Sequence, residues 1–172
     1  MVFDLENLGT EKGNGLVELT KCRVIELKRD DPESVALILP FIDRCIEFCE
    51  KYRADTHPDT LRNTLFTAFH TRSEAWKLMA AIDESGKIVA HCFADIEQYG
   101  NLGNVVFITQ IEKEVQDPSI MASGFRIIMK WAAKYKIRHI MTMALDEANA
   151  RRNEKDFGFK TYRWLQKLDC ET

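Results

Sequence analysis

The sequence predicts an α/β (α+β) fold with a mixed, mostly antiparallel central sheet and helices on both faces. Two β-rich runs, Trp76–Ile82 and Lys87–Ile96, are joined by a short polar turn and indicate an antiparallel hairpin. Farther along, an apolar run over Val105–Ile111 and a strand-like run over Arg138–Leu145 flank a helical pattern at Ser119–Lys136. A hairpin followed by a strand–helix–strand crossover predicts a mixed sheet covered by helices.

Before the hairpin, the chain predicts one strand and two helices. The run Cys22–Leu27 is rich in β-branched residues, as in a strand. A helix is expected to begin at Asp31-Pro32, where a capping residue precedes a proline suited to the first helical position, and to run to Tyr52. Pro40 inside it predicts a kink or a break. Its buried stripe should consist of apolar residues three or four apart: Val35, Leu39, Ile42, Ile46 and Cys49.

A second helix is expected to begin at His57-Pro58 and to end near His70. The residues on its apolar side are Leu61, Leu65, Ala68 and Phe69. In the hairpin turn that follows, Gly86 stands at the position that needs positive φ. These helices should close one edge of the domain.

The last third of the chain predicts a long helix, a short helix and a final strand. The residues that the helix over 119–136 should bury are Phe125, Ile128, Met129 and Ala132. A short helix is expected over residues 147–156 and an alternating strand over Phe159–Leu168. Residues 1–20 are polar and punctuated by glycine, so they predict a flexible arm before a single domain over residues 21–172.

Composition and charge exclude several classes of function. The formal net charge of −3 gives no basic face for phosphates, so a nucleic-acid partner is not expected. The acidic start of the chain does not resemble a secretory signal, and no stretch is apolar enough to span a membrane. We therefore expect a cytoplasmic protein.

The cysteines predict reduced, mostly buried thiols rather than a disulfide framework. There are five, an odd number, and no C-x-x-C pair occurs. Cys45 and Cys49 lie four apart on a predicted helix, with His57 close in sequence, so a metal site is one interpretation of this spacing. Packing in the core explains the same spacing more simply, and no metal is expected.

Two segments near the end of the chain carry a resemblance to a known family. Trp131–Ile140 and Lys155–Lys160, taken with the order of elements, resemble the GNAT superfamily of acyl-CoA-dependent N-acetyltransferases over residues 22–169. The family pattern W-A-x-x-x-G-x-x-x-I ends its central helix, and Y-x-x-x-G-F ends its last helix. Phe157–Arg163 also resembles GNAT-like proteins encoded by bacteriophages.

The resemblance implies an acetyl-CoA site between the fourth and fifth strands, with backbone groups near Ile111 and Lys113 binding the pantetheine arm. The diphosphate of the family's cofactor lies at the start of the central helix, on a Q/R-x-x-G-x-G/A motif. Two registers of that motif remain open. One places Gln116 on Q/R with Ser119 and Met121 on the glycines, and the other starts the motif at Met121. The second register continues through Ala122 and Ser123 to Gly124 on the first glycine, with Arg126 on the last position.

Asp117 competes with a cofactor at this helix end. An Asp before Pro is a good N-cap, and its carboxylate would occupy amides that the phosphates need. Arg126 and Lys130 offer positive charge farther along, although a solvated helix face explains both of them. The segment around Asp117 can therefore be interpreted either as a structural helix cap or as a diphosphate-binding loop.

Acyl transfer to an amine needs a base for the ammonium and an acid for the thiolate. Glu112, at the end of the fourth strand, is the candidate base, with Glu97 and His91 as alternatives. The tyrosine that serves many family members as the acid is replaced here by Glu154, the remaining candidate. Tyr135 or Tyr162 would need a different geometry to substitute.

Two functions follow from these patterns. The first is transfer of an acetyl group from acetyl-CoA to a primary amine of a small molecule or protein. The second is a GNAT-like scaffold that has lost its cofactor and acts in binding or assembly, for example as a phage virion component. A protein partner or a homo-oligomer would fit the second function, whereas the charge disfavours a nucleic-acid-binding module.

Overall fold

The structure is a computed structural model that describes residues 22–52, 57–71, 74–115, 117–143 and 147–160. The N-terminal arm and most of the final predicted strand lie outside the described residues. The elements, in chain order, are β1 (Arg23–Glu26), α1 (Pro32–Tyr52), α2 (Pro58–His70), β2 (Trp76–Ile82), β3 (Ile88–Tyr99), β4 (Gly103–Lys113), α3 (Pro118–Lys134), β5 (Ile140–Thr142) and α4 (Glu147–Phe157).

The described residues up to Thr142 form one compact unit, and the segment from Met143 onward, which includes α4, groups separately. In the larger unit the strands lie side by side in the order β1-β2-β3-β4-β5. The pairs from β1 to β4 are antiparallel, and β5 lies parallel to β4. The predicted mixed, mostly antiparallel sheet is therefore confirmed, as is the crossover through α3.

Helices α1 and α2 cover one face of the sheet. Phe41 and Ile42 of α1 and Leu65 of α2 are completely buried, and their cluster includes Leu78 and Ala80 of β2. The predicted buried residues of α2 are all confirmed. Because strand residues alternate between faces, one set of β2 side chains meets these helices.

Helix α3 covers the opposite face. Ile128 and Trp131 pack with Met79 of β2 and Ile108 of β4 in a second buried cluster. The Trp131 indole donates a hydrogen bond of 2.9 Å to the Glu74 carbonyl, which fixes the helix against the start of β2. Helices on both faces of the sheet are therefore confirmed.

The predicted buried stripe of α1 is partly wrong. Val35 and Leu39 are 51% and 55% exposed, while Ile42, Ile46 and Cys49 are buried. The actual face is wider and rotated; its other members are Ser34, Ile38, Phe41, Cys45 and Phe48. Two apolar series run along α1, and their spacing alone does not reveal which one meets the sheet. In α3, Met129 is likewise exposed and not buried as predicted.

Pro40 does not break α1, which continues to Tyr52. Proline removes the N–H that would bond the carbonyl four residues earlier, here that of Ala36. Both residues lie on the exposed side, where water can satisfy that carbonyl. The predicted break is therefore wrong, and the position of Pro40 on the helix explains why it is tolerated.

Two left-handed residues shape the ends of elements. Gly86 has φ of 83° in the β2–β3 turn, as predicted. Lys136, at the position of the glycine in W-A-x-x-x-G, has φ of 56° although it carries a side chain. The N–H groups of Lys136 and Ile137 bond the carbonyls of Ala133 and Ala132, which is the Schellman pattern that ends α3.

Candidate active site

The C-terminal half of β4 forms an edge that β5 does not cover. The β4–β5 pairing runs only from Val106 opposite Ile140 to Ile108 opposite Thr142. Strand β4 nevertheless continues to Lys113, paired with β3 on its other side. Among the described residues, the stretch after Ile108 therefore has no strand partner on the β5 side.

A β-bulge marks the start of this open edge. The register with β3 shifts so that Ala94 faces Ile108 while Phe93 faces Gln110, which leaves Thr109 as the extra residue. A bulge changes which backbone groups point to each neighbouring strand. No local pattern in the sequence predicts this bulge, because the register depends on the partner strand.

Beyond the bulge, the backbone groups of Ile111 and Lys113 point to the open side. The N–H of Glu114 donates to the carbonyl of Val89 across the β3–β4 ladder, so residues two apart from Glu114 also bond β3. The intervening residues then direct their N–H and C=O groups toward the uncovered edge. These are the two residues for which the sequence analysis predicted backbone contact with a pantetheine arm.

A cavity lies beside this edge, between the sheet and α3. The centre of a water-sized molecule can occupy about 30 Å³ of it, and the total space between atoms, counting open solvent, is about 410 Å³. Ile111 borders it from the strand, and Met121 and Gly124 border it from α3. The sheet side includes Ala81 and Ala90, whose small side chains leave the space unfilled. A Cβ built on Gly124 would meet no atom within 4 Å, so this part of α3 has room for a ligand.

The start of α3 is capped by its own chain. Asp117 is the N-cap, and its Oδ1 accepts a hydrogen bond of 2.8 Å from the Ser119 N–H. The predicted capping role of Asp117 is confirmed. A negative charge therefore already occupies an amide at the positive end of the helix.

Two further carboxylates, Asp83 and Glu84, act on the same residue as Asp117. Burial raises the pKa of the Cys22 thiol, and the charges of Asp117, Asp83 and Glu84 raise it further. Cys22 directly precedes β1. Arg126, which the second motif register places on its last position, is exposed.

Glu112 lies on the opposite face of the sheet from the cavity's α3 wall. The Gln110 amide donates to the Cys45 carbonyl at 3.5 Å and to Cys49 Sγ at 2.7 Å, so Gln110 faces α1. Because strand side chains alternate, Glu112 shares that face whereas Ile111 points to α3. The Glu112 side chain therefore faces α1, although the residue itself also borders the cavity.

His91 is the direct cross-strand partner of Glu112. Its ring is 2% exposed and meets Phe41 and Phe48 edge to face, with centroid distances of 6.1 and 5.8 Å. Neither ring nitrogen has a hydrogen-bond partner within the described part of the chain. Burial lowers the pKa of His91 to about 4, with a contribution from the Arg44 charge. The ring is buried out of reach of an incoming acceptor, whereas Glu112 is partly exposed, which favours Glu112 over His91.

Glu97 belongs to a pair of carboxyl groups at the other end of β3. Burial raises the pKa values of both Asp95 and Glu97, and the Asp95 charge raises that of Glu97 further. Asp95 accepts a hydrogen bond of 2.9 Å from the hydroxyl of Thr109, the bulge residue. The sequence analysis did not consider Asp95, although two acidic residues two apart on a strand share one face.

Glu114 anchors the end of the open edge. Its carboxylate pairs with Arg44 of α1 at 2.5 Å and with Lys87, which directly precedes β3, at 3.5 Å. The Arg44 side chain is only 15% exposed, so this pair is better shielded from solvent than a typical surface ion pair. Hydrogen bonding to Arg44 lowers the pKa of Glu114 against the opposing effect of partial burial. This ion pair holds the end of β4 against α1.

The structure brings together four of the predicted site residues, which all border the cavity: Ile111, Glu112, Met121 and Gly124. Lys113 is exposed at the end of the same strand, and Ser119 is exposed in the first turn of α3. Ala122 and Ser123 are half-buried on α3. Gln116 lies outside the described residues. Glu154 is exposed on α4 in the C-terminal segment, so its catalytic role stays a prediction.

Within the described ranges, no group of three or more His, Cys, Asp or Glu side chains is placed to hold a metal ion. Of the helices in that part of the chain, none combines the length and apolar character needed to cross a membrane. Within the same ranges, the cysteines at positions 22, 45, 49 and 92 form no disulfide.

No protein-family model matches the chain, and no curated protein shows a significant match. Solved structures do match. Aminoglycoside N-acetyltransferase AAC(6')-Iy, in complex with the bisubstrate analogue CoA-S-monomethyl-acetylneamine, has a TM-score of 0.64 at 9% identity, covering 89% of this chain and 100% of that one. AAC(6')-Ih from Acinetobacter baumannii has a TM-score of 0.61 at 15% identity, covering 88% of this chain and 99% of that one.

A third match is the BH1408 protein from Bacillus halodurans, with a TM-score of 0.59 at 18% identity over 86% of this chain and 99% of that one. Identities this low establish a shared fold and leave the activity of this chain to its own residues. The chain therefore has the GNAT-like fold that the sequence predicted, the fold also seen in solved aminoglycoside acetyltransferases.

Proposed function

We propose that the protein transfers an acetyl group from acetyl-CoA to a primary amine of a small molecule or protein. The observation that carries this proposal is the uncovered edge of β4 after Ile108, with backbone groups of Ile111 and Lys113 available on it. An apolar cavity lies beside this edge, and Glu112, which also borders the cavity, directs its side chain toward α1. A thioester bound along this edge could thus react with an amine that approaches from the side of the sheet covered by α1.

The residues present fit one part of acetyl-CoA better than another. Bound there, the cofactor would supply an acetyl group activated as a thioester. The free N–H and C=O groups of Ile111 and Lys113 suit the amide-rich pantetheine arm, and the space at Gly124 suits its passage beside α3. Ser119 fits the diphosphate poorly, because its N–H already donates to Asp117.

In the proposed reaction, Glu112 takes a proton from the acceptor ammonium, and the freed amine nitrogen bonds to the acetyl carbon as the carbon–sulfur bond breaks. A main-chain N–H on the open edge stabilises the negative charge that develops on the carbonyl oxygen. The departing thiolate takes up a proton, for which Glu154 is the predicted donor. His91, neutral and buried, positions the strand without entering the proton transfer.

The solved neighbours support this chemistry. AAC(6')-Iy is bound to an analogue that joins CoA to an acetylated neamine, which places a donor and an amine acceptor on the same fold. For this chain, the acceptor is proposed only as a primary amine, and a cytoplasmic location stays a prediction.

Binding is tested by unfolding the protein with and without acetyl-CoA. A ligand at 100 times its Kd should raise the free energy of unfolding by about 2.7 kcal/mol. Acetyl transfer to a panel of primary amines, followed by release of free thiol, tests the reaction itself.

Glu112→Gln should lower kcat about 10²- to 10⁴-fold without weakening acetyl-CoA binding, because it removes the base and leaves the edge intact. Glu47→Gln, an exposed change on α1, is the matched control and should leave the rate unaltered. Asp95→Asn and Glu97→Gln test the second pair of carboxyl groups. If either variant loses activity while Glu112→Gln stays active, the general base belongs to that pair.

The proposed activity is refuted if millimolar acetyl-CoA does not change the free energy of unfolding and no amine is acetylated. The prediction that then remains is a binding or assembly protein, for example a phage virion component with a protein partner or a homo-oligomeric state.

A further inference from the structure

The positive end of α3 is already neutralised by the chain itself. The Asp117 carboxylate bonds the Ser119 N–H at 2.8 Å, and a carboxylate at this place is stabilised by the helix dipole. The same amides and the same dipole are what make a helix start attractive to phosphate. An incoming diphosphate would have to displace Asp117 or bind beside its negative charge.

The surroundings add to this effect. Asp83 and Glu84, on the β2–β3 turn, lie close enough to act on Cys22 together with Asp117. The Lys87 charge acts on Asp83 and offsets only part of this negative charge. Arg126 is nine residues beyond the cap, about 13 Å along the helix at 1.5 Å per residue. The helix start is therefore unfavourable for a doubly charged diphosphate.

The open edge and the cavity do not share this disadvantage. The free backbone groups of Ile111 and Lys113 are neutral, and Met121 and Gly124 give the cavity an apolar wall. An uncharged pantetheine arm can use these contacts whether or not a nucleotide is attached to it.

Resting on the proposed function, we propose that donor selectivity lies in the pantetheine arm, and that Asp117 prevents the nucleotide diphosphate from adding affinity. Pantetheine thioesters without a nucleotide are then donors of nearly the same strength as acetyl-CoA. Asp117 is a specificity-determining residue in this scheme, acting on the non-reacting end of the donor.

The test compares the Kd of acetyl-CoA with that of acetyl-pantetheine by calorimetry on the full chain. The two values should agree within about fivefold, because a tenfold difference would need about 1.4 kcal/mol from the diphosphate and nucleotide. A preference of a hundredfold or more for acetyl-CoA would overturn the inference.

Two substitutions separate the charge of Asp117 from its hydrogen bond. Asp117→Asn keeps a good N-cap while removing the charge, and should tighten acetyl-CoA binding about threefold. Asp117→Gly also frees the Ser119 N–H and should tighten it about tenfold at little cost to the helix. Neither change should alter acetyl-pantetheine binding.

Glu84→Gln is the matched control, since it removes one exposed carboxylate nearby without freeing an amide, and should change acetyl-CoA binding less than twofold. Unchanged or weaker acetyl-CoA binding in Asp117→Gly would overturn the role of Asp117 while leaving the acetyltransferase intact. Failure of both donors to bind the unmodified protein would instead refute the proposed function and this inference with it.

Discussion

The two faces of the sheet are packed in different ways. On the face covered by α1 and α2, large side chains such as Phe41, Ile42 and Leu65 are completely buried. On the face covered by α3, Ala81 and Ala90 stand opposite the first turns of the helix, and the space they leave is the cavity. The first face buries large side chains, whereas the second leaves space beside its small alanine side chains.

This difference suggests a division of roles between the helices. Burial of large apolar groups against α1 and α2 provides most of the hydrophobic stabilisation, since its size follows the apolar area removed from water. The first turns of α3 contribute less and keep space for a ligand. Substitutions on the two faces should therefore have effects of different size and kind.

Phe41→Ala should have the largest effect on stability. Phe41 is 0% exposed, so its removal leaves a cavity in the filled face and should lower the free energy of unfolding by about 3–5 kcal/mol. Urea denaturation followed by circular dichroism measures the change. Leu39→Ala is the control on the same helix; Leu39 is half-exposed, so it should cost less than about 1 kcal/mol. Equal losses in the two variants would contradict the orientation given for α1.

His91 should make the filled face sensitive to acid. Its pKa is about 4 in the folded protein against an ordinary 6.5, so between these values the unfolded chain binds a proton that the folded protein does not. Its contribution is complete above pH 6.5 and is lost as the pH falls toward 4. The free energy of unfolding should fall by about 3 kcal/mol. The Arg44 charge lowers the pKa of the ring and the Glu114 charge raises it, so both contribute to this value.

The difference between the stability curves of the unmodified protein and His91→Leu over pH 4–7 isolates this contribution from that of the carboxylates. A difference that does not change with pH in this range would show that His91 is protonated or solvated in the folded protein.

Gly124 should show the opposite behaviour on the α3 face. Gly124→Ala replaces a glycine inside a helix where the new Cβ meets nothing, and should raise the free energy of unfolding by about 0.5–1 kcal/mol. Gly124→Leu should keep the protein folded but project into the cavity and weaken acetyl-CoA binding at least about tenfold. Thermal unfolding and calorimetry give the two readouts. Retained binding in Gly124→Leu would place the donor elsewhere.

Lys136→Gly should give a gain of about 1 kcal/mol or slightly less. Lys136 is exposed and left-handed with φ of 56°, a conformation that is strained for a residue with a Cβ. Lys136→Ala keeps that strain and should not produce the gain. If the alanine variant were stabilised as much as the glycine variant, loss of the lysine charge and not of backbone strain would be the cause.

Local patterns predicted the elements well and their burial less well. The Pro58 start and the four buried residues of α2 could be read directly, since one apolar stripe and one proline signal agree there. In α1 two apolar series compete, and only contact with the sheet shows that Phe41 is buried while Val35 and Leu39 are not. Sequence spacing describes a helix surface but not the element against which it packs.

The candidate site followed the same pattern. The cap at Asp117 is a local property and was predicted correctly. Ile111 and Gly124 border the cavity, and their role in binding a cofactor stays a prediction. The bulge at Thr109 and its bond to Asp95 could not be predicted, because they depend on how β4 registers against a strand that precedes it.

The ion pairs of Glu114 have a consequence for how a ligand would enter. Arg44 of α1 and Lys87 both pair with Glu114, the residue directly after β4, so the end of the strand is already held in place in the free protein. The conformational entropy of that segment is lost when the chain folds and not when a donor arrives. Binding along such an ordered strand should require little rearrangement of the protein. The association rate should therefore depend on the diffusional encounter with the donor more than on a conformational change of the protein.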